Sequence, residues 1–120
     1  MGAQQLNIND YKPYLSEESI QAIVKQAVEM LDGYNREYFS DEIHCSNGFM
    51  IEIQARYDGF NYRRIRISYL QVHLLENNTW VSDNDCEIYA NKISDLLHDA
   101  IYDLNDKSEQ EYESRCELTY

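Results

Sequence analysis

At 120 residues and a net charge of −12, the chain is the size of one domain that buries most of its apolar surface without disulfides or metal. Its acidity argues against binding nucleic acid or anionic lipid through the general field and favours a cationic partner. No run of about 18 apolar residues is present, so a spanning helix is excluded.

Met1 to Asp10 carries neither the basic region nor the apolar core of a signal peptide, which makes a cytoplasmic location the expectation. Cys45, Cys86 and Cys116 are odd in number and far apart, with no CxxC spacing, so reduced thiols are expected rather than a disulfide framework or zinc ribbon. The charge is unevenly placed: −3 over 1–40, −1 over 41–81 and −8 over 82–120. Solubility is the plain reading of such acidity, and a basic partner the functional one.

In chain order, Met1 to Tyr14 is a polar lead-in that is either flexible or laid over the core by Leu6, Ile8, Tyr11 and Tyr14. Ser16 is a good N-cap, Glu17 and Glu18 suit the positive end of a helix dipole, and Leu15 can staple onto Ile20. Ile20, Ile23, Val24, Ala27, Val28 and Leu31 recur at helical steps, predicting an amphipathic helix over about 17–32 that ends with Gly33 in the left-handed conformation.

Tyr34 to Asp41 reads as a connection and Glu42 to Cys45 as a short strand, followed by a turn at Ser46-Asn47-Gly48. Phe49 to Asp58 alternates strictly between apolar odd and polar even positions, a half-buried strand. Asp58-Gly59 supplies the positive φ of a hairpin, and the second strand resumes at Tyr62. In that strand Ile65, Ile67 and Tyr69 are odd but Leu70, Val72 and Leu74 are even. The change of parity predicts a β-bulge, or a bend, at Tyr69-Leu70. Glu76-Asn77-Asn78 is the next turn, and Thr79-Trp80-Val81 a short last strand.

Asn84 and Glu87 stand at capping-box spacing. Tyr89, Ala90, Ile93, Leu96, Leu97, Ala100, Ile101 and Leu104 then predict a second helix over about 85–105, beyond which 106–120 either extends the helix or frays as an acidic tail. Two helices bracketing a meander of three to four strands over about 42–81 must both bury a stripe. The expected fold is therefore α+β, a two-layer sandwich with both helices on one face of an antiparallel sheet.

The other face is then exposed and carries Glu52, Gln54, Arg56, Arg64 and Arg66, with Arg63 nearby. Cross-strand pairing of Glu52 with an arginine is the structural reading; a surface for an acidic partner or a second copy is the functional one. On the outer face of the second helix, Asp95, Asp99 and Asp103 recur every four residues with Asp106 beyond. Like charges at that spacing weaken a helix by a few tenths of a kcal/mol per pair. Such a row is either a solvated face beside Lys92 and Lys107 or a mimic of a run of phosphates.

No catalytic constellation is recognisable. His44-Cys45 are adjacent in a strand and point to opposite faces, and His98 has Asp95 and Tyr102 within helical reach. No metal, cofactor or phosphate-loop pattern is present. Eleven tyrosines suit interface use at Tyr34, Tyr38, Tyr62, Tyr112 and Tyr120, while Tyr57, Tyr69 and Tyr89 read as core or core-edge residues. Three functions are weighed: a non-enzymatic module binding a basic protein, in the extreme as a nucleic-acid mimic; an oligomeric module using the arginine-bearing sheet face; and a small enzyme. The ranking is in that order.

Overall fold

The computed structural model describes residues 13–118, with side chains as far as Cys116; the reading of the lead-in falls largely outside the described residues. The elements are α1 (Glu17–Asp32), β1 (Tyr38–His44), β2 (Phe49–Asp58), β3 (Arg64–Glu76), β4 (Thr79–Val81) and α2 (Asn84–Leu118). The strands form an antiparallel sheet in the order β1-β2-β3-β4, an open meander. Both helices cover one face, as the two apolar stripes require, and the sandwich is α+β.

Ser16 caps α1 by accepting the Ser19 N–H at 3.1 Å. Leu15, Ile20, Ile23, Val24, Ala27 and Leu31 are buried together. From α2, Cys86, Ala90, Ile93, Leu97 and Ile101 enter the same cluster, and the sheet adds Phe39, Ile43, Phe49, Ile51, Ile53, Ala55, Ile65, Val72 and Leu74. Each fully buried aliphatic side chain, such as Ile93 or Leu97, contributes roughly 1.5–3 kcal/mol relative to exposure.

Several local expectations are corrected. Gly33 is not left-handed: its φ is −82° and ψ −6°, because the chain leaves α1 in a helical turn, with Gly33 N–H on the Glu29 carbonyl and Tyr34 N–H on that of Leu31. β1 begins at Tyr38, four residues before the expected start; only Phe39 and Ile43 are buried in it, too few to mark a strand by alternation. The cap of α2 is Asp83, not Asn84, since Asp83 Oδ1 accepts from Cys86 N–H at 3.0 Å. Of the two readings of the chain after about 105, extension is the one found: the helix runs on to Leu118, with no proline or glycine to end it.

The bulge is one residue from its expected place. Gln54 faces Tyr69 and Ala55 faces Ile67, leaving Ser68 as the extra residue. Ile65 before it and Val72 and Leu74 after it are thereby all buried. Asn77 and Asn78, with φ of 50° and 64°, form a two-residue primed turn between Glu76 and Thr79, whose twist suits a hairpin. The β2–β3 loop is longer, Gly59 to Arg63, with Gly59 at φ +117°.

Tyr57 ties the sheet to the end of α1. Its hydroxyl donates to the Leu31 carbonyl at 2.7 Å, its ring stacks on Tyr34, and the Arg63 guanidinium lies 4.0 Å above it. Burial pushes the phenol up to about 12 from 10.0, Arg63 opposing and Tyr34 and Asp32 reinforcing the rise. A raised folded-state value means that the stabilisation is complete below about pH 10 and is lost as pH rises through about 12. Ultraviolet phenolate titration is therefore expected to show a late-titrating tyrosine, and Tyr57→Phe to remove both that phase and its share of the alkaline loss of stability.

Candidate partner-binding surfaces

Asp95, Asp99, Asp103 and Asp106 are all exposed on α2. At about 100° per residue they fall within an arc of about 80°, opposite the buried Ile93, Leu97 and Ile101. Glu113 continues the arc two turns further on, so the stripe extends for about 27 Å at 1.5 Å per residue. Among the described residues Asp95, Asp99 and Asp103 have no hydrogen-bonding or ion-pairing partner, whereas Asp106 accepts from Gln110. Lys92 lies beside the stripe but is ion-paired to Glu17 in the first turn of α1. The same arc exposes Ile88 (61%), and Tyr102 (73%) lies about 20° beyond its edge, toward β3, which the spacing of the acids alone does not reveal. His98 turns from Asp95 and Tyr102 to the Ser94 carbonyl, 2.7 Å from its Nδ1.

Across the molecule the open sheet face brings Glu52, Arg56, Arg64 and Arg66 together, as alternation requires. Its rows are set by register: Tyr38, Arg56 and Arg66; Ser40, Gln54 and Tyr69; Glu42, Glu52 and Gln71; His44, Met50 and His73. Glu52 pairs with His73 at 3.2 Å rather than with an arginine, because the register sets Arg66 opposite Arg56, two outward-facing rows from Glu52, and Gln71 opposite Glu52. Arg66 is 3.6 Å from Asp58. Arg63 leaves the patch for the Tyr57 ring, with its Nη2 buried and without a hydrogen-bond partner among the described residues. Tyr69 is not a core residue: the bulge turns it outward, 40% exposed.

At the β4 end, Trp80 and His44 bring their rings to 6.0 Å although their strands are the two edges of the sheet. They can meet only over the middle strands, which explains why Met50, facing away from the helices, is 6% exposed yet lies outside the main core. Here Ser82 Oγ, His73 and Glu52 form a chain, with 3.2 Å from Oγ to Nδ1 and 3.2 Å from Nε2 to Glu52. The hydroxyl also donates to the Val72 carbonyl and accepts from Gln71. The group lies on an open face, where it clips the chain leaving β4 to β3.

Arg64, Arg66, His98, Tyr102 and Asn105 line a cleft of about 290 Å³ between β3 and α2. Asn105 is committed to the fold, its Oδ1 accepting from Ile65 N–H at 2.8 Å and its Nδ2 donating to the Ile65 carbonyl at 3.0 Å. Among the described residues no group of three or more His, Cys, Asp or Glu side chains is placed to hold a metal ion, and no helix is long and apolar enough to cross a membrane. No protein-family model, curated protein or solved structure matches the chain.

Proposed function

We propose that this protein is a non-enzymatic, cytoplasmic binding module that engages a basic protein partner through the outer face of α2. One observation carries the reading: carboxylates without partners among the described residues form a stripe opposite the buried face, with the exposed Ile88 in it and the exposed Tyr102 at its edge. Unscreened like charges weaken the helix, while a cationic surface would neutralise them and the two apolar side chains would give anchors. A partner that ordinarily binds nucleic acid would meet the row as it meets phosphates, making the protein a mimic of that ligand.

The test compares wild type with the combined Asp95→Asn, Asp99→Asn, Asp103→Asn variant in capture from nuclease-treated lysate at low and high salt. A basic protein is expected on wild type alone, with its affinity falling steeply with salt and duplex DNA displacing it if the mimic reading holds. The variant should fold slightly more stably, by about 0.2–0.5 kcal/mol per relieved pair, so lost capture would not reflect unfolding. Equal capture by both proteins would sink the proposal.

A further inference from the structure

The open sheet face has a charge balance unlike the rest of the chain. Glu42, Glu52 and Asp58 face outward with Arg56, Arg64 and Arg66, so its fixed charges cancel on a protein of net charge −12. They are also segregated. The three arginines, with Asp58 among them, lie toward the β2–β3 loop and leave that end positive, and Glu42 and Glu52 lie toward the β1–β2 turn, with the row Ser40, Gln54 and Tyr69 between them.

We infer that this face is self-complementary and that two copies pack sheet to sheet about a two-fold axis running across the strands at that middle row. Rows equally far from the axis then exchange places between copies. Arg56 of one copy lies over Glu52 of the other, and Arg66 over Gln71, while each Tyr69 meets its own counterpart. The alternative axis, along the strands, would lay arginine on arginine and is disfavoured by like-charge repulsion.

The apolar ends agree with the same operator. Phe60, fully exposed at the tip of the β2–β3 loop, is six positions from Gln54. Six positions the other way is the level of Gly48, beside Leu75, whose N–H bonds the Gly48 carbonyl and whose cross-strand partner is Trp80. The axis therefore brings Phe60 of one copy to the half-exposed Leu75 and Trp80 of the other. Strands about 4.8 Å apart and some ten residues long present roughly 500 Å² per copy, near the lower bound for a specific interface. The dimer is accordingly weak and transient.

Sedimentation velocity of the full chain over about 1–500 μM reads this directly. Wild type is expected to shift from monomer to dimer across that range. Arg56→Glu and Glu52→Arg should each weaken association by about tenfold or more, since each sets like charges opposite one another. An equimolar mixture of the two variants should restore it. In that heterodimer the two introduced side chains, of opposite charge, lie over each other, and the unaltered Glu52 of one copy lies over the unaltered Arg56 of the other. Tyr69→Arg, at an exposed site on the axis, should weaken the dimer equally and does not disturb the Glu52–His73 pair. Wild type that stays monomeric at about 500 μM overturns the inference, as does undiminished association of Tyr69→Arg and Arg56→Glu, or a folded pair of variants that fails to recombine. Because this face is opposite the acidic stripe, the Asp95, Asp99, Asp103 variant should dimerise as wild type does.

Discussion

Gly59→Ala is expected to destabilise the fold by about 2–4 kcal/mol, seen as an earlier midpoint in urea unfolding with an unchanged slope. Gly59 has φ +117°, where a side chain is strained whatever the space, and an added Cβ would lie 2.0 Å from the Tyr62 carbonyl oxygen. That oxygen belongs to backbone and cannot swing away as the end of a long side chain could. The loop would have to open, pulling Tyr62 from Tyr112, whose ring centroids are 6.2 Å apart. Gly33→Ala is the control. Its φ is negative and its nearest neighbour, the Glu29 carbonyl oxygen, is 3.4 Å away, so alanine there should be neutral or stabilise by about 0.4–1 kcal/mol through the unfolded state.

Asn105→Ala is expected to cost about 1.5–3 kcal/mol, with the amide of Ile65 losing most of its protection from hydrogen exchange. β4 pairs with β3 only from Leu74 to Glu76, so the start of β3 lies at the sheet edge, and Asn105 stands in for a neighbouring strand there by bonding both the N–H and the carbonyl of Ile65. Alanine would leave both groups without that partner beside a buried side chain. Asn105→Asp separates hydrogen bonding from packing: a carboxylate still accepts from the N–H, but its second oxygen would stand against the Ile65 carbonyl oxygen, acceptor against acceptor. That repulsion offsets the retained bond, so the variant should be no more stable than the alanine variant. If both variants melt like wild type, the clamp contributes nothing.

These two sites show what local pattern could reveal and what it could not. Strand β2 was legible in full because strict alternation and a flanking Asp-Gly are short-range signals, and α1 was legible because one cap and one apolar stripe agree. The bulge could be placed within a residue because a change of parity is itself a short-range signal. The length of α2 was not legible. Its apolar stripe ends at Leu104 because the sheet ends there, and the helix beyond is supported by Asn105 and by Tyr62 reaching Tyr112. The acidic row was legible as residues, whereas its isolation was not, since only the packing shows Lys92 drawn to Glu17.

The sheet face was half legible. Alternation placed Arg56, Arg64 and Arg66 on one side, but the partner of each charged group depends on register between strands, and register is a long-range property. One extra residue at Ser68 turned Tyr69 outward and put His73 on the open face beside Glu52, while the hairpin register holds the arginines two rows away from it. By itself, then, the sequence determined the kind of object: an acidic α+β sandwich with one open sheet face, because caps, turns and hydrophobic period act over a few residues. Only the tertiary structure decided which charges stand alone, which are paired and how the charges of the open face are arranged in rows, because those depend on distances between elements that no local pattern encodes.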